Sequence, residues 1–155
     1  SWSRAHGPIR ADVLTPRNPD NPGLVWAARQ LDRYLSVVRQ TFALPLDFEG
    51  TRFRLGAWRA LSAMPFGTTV SYGHQAGQLG IPTAARALGA ANRANPVCII
   101  VPCHRVIGAN GSLTGFAGGL ERKRFLIDHE VTVLAQAGGV PGQGDHRAMQ
   151  LTAVM

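Results

Sequence analysis

Breakers of helix and strand recur so closely along the middle of the chain that no single element there can be long. Pro65 with Gly67, Gly80 with Pro82, Asn95-Pro96, Pro102, Asn110-Gly111 and Gly115 follow one another. Proline removes a backbone donor and fixes φ, while glycine admits left-handed turns, so each pair closes one element and starts the next. Apolar runs reach only five or six residues, far from the roughly 20 that a membrane-spanning helix needs. With 155 residues, 45% of them apolar, the chain can bury one compact core, or a cap of about 50 residues on a domain of about 100. Wholesale disorder is excluded by that apolar content.

Residues 1–23 are rich in proline, asparagine and glycine and read as loop or weak strand. The spacing of Val25, Ala28, Leu31, Tyr34, Leu35 and Val38 predicts an amphipathic helix between Leu24 and Phe42. Residues 42–48 alternate around Pro45, as an edge strand or linker does. These residues form a first domain, 1–50, and a second spans 51–134. In the second, Thr51 is the expected cap of a helix over Phe53–Ala63, with Phe53, Ala57, Trp58 and Leu61 inward. Ser71 caps a short helix through Leu79, and a Gly-containing turn leads to another over Thr83–Ala94, the helix-turn-helix pattern. That last helix is lined by Ala84, Ala85, Ala87, Gly89, Ala90, Ala91 and Ala94, with Arg86 as the one long side chain of its first two turns. Small residues let a backbone lie close on a surface, or pack it into a core; composition leaves both open. Val97–Val101 reads as a β-branched strand, Asn110-Gly111 as a two-residue hairpin turn and Gly115–Gly119 as a flexible loop. A last helix is expected over Leu120–Glu130, then a flexible tail over 135–155.

Charge is unevenly placed. From Gly50 to Leu120 there is no Asp or Glu, yet Arg52, Arg54, Arg59, Arg86, Arg93 and Arg105 fall there. Arginine makes up 15 of the 16 basic residues, a bias that accounts for Arg over Lys but not for the missing carboxylates. An acid-free, arginine-bearing stretch suits a polyanion, which points to nucleic acid.

Two cysteines cannot build a disulfide framework, so a reducing, cytoplasmic setting is expected; no secretory signal follows Ser1-Trp2-Ser3-Arg4. In an extended strand Cys98 would face away from Cys103 at about 16 Å, which precludes a bond between them and leaves Cys98 as core filler. Cys103 stands at the strand end, followed by His104 and Arg105, groups able to activate a thiol. No zinc-ligand spacing occurs, and no metal is expected.

The run Asn95-Pro-Val-Cys-Ile-Ile-Val-Pro-Cys-His-Arg-Val-Ile-Gly108 resembles the active-site segment of the O6-alkylguanine-DNA alkyltransferases, suicide repair proteins that move an alkyl group onto their own cysteine. Thr51-Arg-Phe, Trp58-Arg-Ala-Leu61, Pro65-Phe-Gly67, Ser71-Tyr-Gly73, Ala85-Arg-Ala-Leu-Gly89, Gly115-Phe-Ala-Gly-Gly-Leu120 and Leu126-Ile-Asp-His-Glu130 extend the resemblance in order. It implies an α/β (α+β) chain: a small N-terminal α/β domain, here shortened, then a mostly helical, winged helix-turn-helix domain. It makes Cys103 the acceptor, His104 its base through a water, Glu130 the orienting carboxylate and Asn95 the residue shaping the adjacent hinge. Tyr72 would serve a guanine ring nitrogen, the backbone around Cys103 and Val106 would receive the exocyclic amine, and the Ala117 amide would face the substrate oxygen. Phe116, where many relatives carry Tyr, would stack at the pocket mouth. Arg86 would enter the base stack, with Ala85, Ala87 and Gly89 in the minor groove and Arg93, Ser71 and Gly73 beside the DNA. The implied partner is duplex DNA bearing O6-alkylguanine, met by a monomer with no cofactor and no membrane; O4-alkylthymine stays open. His74, Gln75 and the Leu55-Gly56 pair depart from the family pattern. Two rivals are weaker: alkyltransferase-like binding modules lack the cysteine retained here, and a cysteine hydrolase on another fold leaves the acid-free middle unexplained.

Overall fold

The computed structural model describes residues 9–10 and 20–138, and the chain divides into two compact units at Thr51. In the first, β1 (Ile9–Arg10) pairs in parallel with β2 (Leu46–Asp47), Ile9 opposite Leu46. Parallel strands need a crossover, and α1 (Pro22–Leu35) lies within it. Asn21 caps α1 by accepting from the amides of Gly23 and Leu24, and Pro22 sits at the first position, where no amide is missed. The buried stripe of α1 is Gly23, Ala27, Gln30 and Tyr34. Val25, Leu35 and Val38, expected inward, are exposed. The register turns because Gln30, not an apolar residue, anchors the helix: its side chain bonds both backbone groups of Ala43 and receives Arg39. Tyr34 packs its ring 5.3 Å from that of Phe42.

In the second unit α2 (Arg52–Ser62) buries Ala57, Trp58 and Leu61, while Phe53 remains partly exposed. It stops before Pro65, as a pre-proline residue disfavours helix. Ser71 closes β3 (Val70–Ser71) and caps α3 (Tyr72–Gln78) by accepting from the His74 amide. Gly80, at φ +73, ends α3: its amide reaches Gly77 and that of Ile81 reaches Ala76, a Schellman closure. Pro82–Ala84 then form a 3-10 turn that runs into α4 (Ala85–Arg93), so the expected Thr83–Ala94 helix starts with a tightened turn and no side-chain cap. The indole of Trp58 donates to the Ala91 carbonyl, and Asn92 donates to Gln75, tying α2, α3 and α4 into one buried cluster.

Two sequence expectations fail here. Val97–Val101 is a turn, not a strand: the Val101 amide bonds Val97, and Ile99 sits at φ +78. Pro96 and Pro102 deny it ladder donors at both ends, so β-branched preference yields. The Asn110-Gly111 turn forms, with the Gly108 amide on Ser112, but no hairpin follows. Its leading strand β4 (Val106–Ile107) pairs instead with β3, in parallel, Val70 opposite Val106. The last helix, α5 (Leu120–Gln136), runs a turn and a half beyond the expected end and buries Lys123, Leu126, Glu130 and Val133. Among the described residues no helix is long and apolar enough to cross a membrane. The expectations for residues 1–8, 11–19 and 139–155 lie outside the described residues.

Candidate active site

Cys103 stands on a 3-10 turn, Cys103–Arg105, between the 97–101 turn and β4, and is 4% exposed. Asn95 shapes what precedes it. Its Nδ2 donates to the Val101 carbonyl at 2.8 Å and its Oδ1 accepts from the Val97 amide at 3.1 Å. Because this segment turns, the separation inferred from an extended strand does not hold. Cys98 Sγ lies 3.8 Å from Cys103 Sγ, and the residue is only partly buried rather than core filler. The Cys98 thiol is lowered to about 7 because it accepts the Cys103 hydrogen bond. Donating that bond, and then burial, push Cys103 up. The Cys103 thiol is therefore protonated at rest and needs a base before it can attack anything.

The neighbouring imidazole is held from behind. His104, fully buried, places Nε2 2.9 Å from Glu130 Oε1. Burial holds the imidazole below its usual pKa, against the pull of Glu130, so the ring is neutral at pH 7. A neutral ring that donates Nε2–H to the carboxylate leaves a lone pair on Nδ1, which is buried and takes no hydrogen bond from the described residues. Glu130 also accepts Arg105 through Nε at 2.9 Å and Nη2 at 2.8 Å, and the Gly67 amide at 2.9 Å. Burial alone would raise the carboxyl; the bonds and charges of His104 and Arg105 bring it down to about 2. Arg105 spends its remaining reach on the Met64 carbonyl and lies over the Phe66 ring. It is 5% exposed, so it belongs to this cluster and not to a polyanion-facing surface.

On the other side of the turn sits a residue the sequence reading passed over. Lys123, the chain's one lysine, is fully buried on α5 and donates to the carbonyls of Val106 and Thr114, both at 2.6 Å. Desolvation lowers it to about 8, a shift that a thiolate on Cys103 would oppose. The signal was present: Lys123, Leu126, Glu130 and Val133 fall on one helical stripe, which makes both charged members inward. Tyr72, first residue of α3, donates its hydroxyl to the same Thr114 carbonyl at 3.2 Å, and burial raises its pKa, keeping it a donor. Gly115, at φ +59, lets the loop pass the Tyr72 hydroxyl, where a Cβ would stand 3.1 Å away. Phe116 is half-buried and Ala117 exposed on this loop.

The residues expected to face DNA lie on one pair of elements. Ser71 and Gly73 open α3; Ala85, Arg86, Ala87, Gly89 and Arg93 lie along α4. Arg86, Ala87, Ala90 and Arg93 are exposed, and Leu88, Ala91 and Asn92 are the buried side. The small residues are thus divided: Ala87 and Ala90 lie on the outer face, Ala84, Ala85, Gly89 and Ala94 are partly buried, and Ala91 packs inward. Arg52, Arg54 and Arg59 are exposed as well.

Glu130 gives a stability test with a definite sign. Its folded pKa of about 2 lies below the ordinary 4.5, so its stabilisation is complete above pH 4.5 and is lost as pH falls toward 2. Glu130→Gln should lower the unfolding free energy at pH 7 by about 3 kcal/mol, since it strands a buried Arg105. Urea melts should show that deficit shrinking below pH 4.5; a deficit constant with pH would contradict the ion pair.

Comparison with known proteins places these features in a family. The family described as "6-O-methylguanine DNA methyltransferase, DNA binding domain" matches residues 52–132. Methylated-DNA–protein-cysteine methyltransferase of Mycobacterium leprae is 51% identical over 112 residues, 72% of this chain and 68% of that protein. The inducible enzyme of that name in Bacillus subtilis is 50% identical over 103 residues, 66% of this chain and 58% of its own length. The crystal structure of Mycobacterium tuberculosis OGT in complex with DNA superposes with a TM-score of 0.69 at 50% identity, over 70% of this chain and 68% of that one. By these matches, and by the Pro102–Arg105 turn they span, the chain belongs to the 6-O-methylguanine DNA methyltransferase family.

Proposed function

We propose that the protein repairs DNA by direct reversal, taking the alkyl group of O6-alkylguanine onto Cys103 in a single irreversible turnover. One observation carries the reading: beside a buried acceptor thiol, His104 is pinned by Glu130 through one nitrogen while the other keeps its lone pair. The chemistry is an in-line displacement at carbon. The Cys103 proton passes through a water to His104 Nδ1, the sulfur–carbon bond forms and the carbon–oxygen bond breaks. Guanine leaves as its neutral form by taking a proton at a ring nitrogen from Tyr72, whose hydroxyl turns away from Thr114. Water exclusion favours the step, because the thiolate is otherwise stabilised by solvation. The thioether formed has no activated leaving group, so each molecule acts once, without a cofactor.

DNA meets the exposed arginines and the small-residue face of α4, with α3 and α4 as the helix-turn-helix of a winged domain. Arg86 fills the gap left by a flipped nucleotide, Phe116 stacks on the extruded base, and the carbonyl of Val106 and amide of Ala117 read its edge. A monomer suffices for this contact, and the need for a free thiol beside DNA fits the cytoplasm. The N-terminal unit is a shortened α/β domain.

Intact mass after incubation with a duplex containing O6-methylguanine tests the reaction. The protein should gain one methylene, assigned by fragmentation to Cys103 within the tryptic peptide 94–105; an unchanged mass, or alkyl on Cys98, would overturn the assignment. Arg86→Ala tests flipping apart from chemistry. Unstacking a base costs a few kcal/mol, so duplex repair should slow by about tenfold or more, while reaction with free O6-benzylguanine changes little. Equal loss on both substrates would make Arg86 a structural support instead.

A further inference from the structure

We propose that Cys98 and Cys103 form a dithiol that hydroperoxides close reversibly into a disulfide, a modification that caps the acceptor sulfur. The two sulfurs stand 3.8 Å apart, against about 2.05 Å in a bond, so closure asks for less than 2 Å of approach. The fold brings them there on purpose-built backbone: Ile99 at φ +78 reverses the chain, Asn95 clasps Val101, and Cys98 bridges to Val101. A left-handed β-branched residue is costly and persists only where its surroundings enforce it.

The roles of the two thiols follow from exposure. Cys98 is partly exposed and meets the oxidant first; Cys103, 4% exposed, is shielded. The bond donated by Cys103 favours a thiolate on Cys98 near neutral pH. That thiolate attacks one peroxide oxygen, the O–O bond breaks, and the departing alkoxide or hydroxide leaves as an alcohol or water after protonation. Cys98 is now a sulfenic acid. The Cys103 sulfur attacks the Cys98 sulfur, the S–O bond breaks, and hydroxide leaves with the Cys103 proton as water. Two thiols have lost two electrons, and the peroxide has gained them. A lone sulfenic acid would pass on to sulfinic acid, which thiols cannot reverse. A disulfide can be reduced, so a once-only acceptor survives an oxidant that would otherwise consume it.

Disulfide formation does not depend on the proposed repair reaction; that the capped sulfur is the alkyl acceptor does. The full chain is treated with hydrogen peroxide, remaining thiols are blocked with N-ethylmaleimide, and mass is read intact and after trypsin without reductant. Peptide 94–105, which contains both cysteines, should be lighter by two hydrogens and unblocked, and dithiothreitol should restore both thiols and methyl transfer. Transfer should fall in proportion to the disulfide fraction. Cys98→Ser and Cys98→Ala, each measured against its own reduced state, should instead gain oxygen on Cys103 and lose transfer that dithiothreitol does not fully restore. Oxygen on wild-type Cys103 with Cys98 still open to N-ethylmaleimide, or bridges between chains, would overturn the dithiol. Full transfer from protein that is entirely disulfide-bonded would leave the dithiol standing and overturn Cys103 as acceptor.

Discussion

The carboxylate of Glu130 is the point on which the second unit is built. It is 1% exposed and takes bonds from His104, from two nitrogens of Arg105 and from the Gly67 amide. These donors come from the acceptor turn and from the turn after α2, so one buried charge ties three separate stretches of chain. A buried ion pair returns little net stability once desolvation is counted, but removing one partner is expensive. Its worth lies in geometry. The 103–105 turn satisfies the carboxylate in an arrangement that points one imidazole nitrogen at Glu130 and leaves the other without a hydrogen bond from the described residues.

Lys123 does the corresponding work on the far side of β4. From the same stripe of α5 it holds the carbonyls of Val106 and Thr114, and Tyr72 shares the second. The loop between β4 and α5 is thereby fastened to the helix it leads into. A helix that carries an inward carboxylate and an inward ammonium two turns apart positions both flanks of the acceptor. Neither charge is exposed to solvent screening: Lys123 acts on both Cys103 and His104, and Glu130 acts on His104.

Local signals were legible. The cap at Ser71, the closure at Gly80 and the stop before Pro65 depend on residues within five positions of each other, and α2, α3 and α4 appear where these predict. The failures are non-local. Val97–Val101 has strand composition, but Asn95 and two prolines decide its shape. The Asn110-Gly111 turn is real, yet β4 found its partner in β3, far upstream. Arg105 read as a surface cation because Glu130 lies 25 residues away. Cys98 was misplaced for the same reason as its segment: a 16 Å estimate from strand rise cannot survive a turn. The chemistry-bearing types, with Glu130 behind His104 and Asn95 beside the turn, were found from the motif run; the hold of Lys123 on the other flank was visible only in the inward register of α5.

The tautomer of His104 carries the account. Long-range nitrogen–proton NMR of the imidazole, between about pH 5 and about pH 8, reads it directly. A neutral ring at pH 7 with its proton on Nε2 and none on Nδ1, protonating only below the usual histidine pKa, is the predicted result. A ring that protonates near its usual pKa, or that holds its proton on Nδ1, would contradict the account, for Nδ1 could then accept nothing from Cys103.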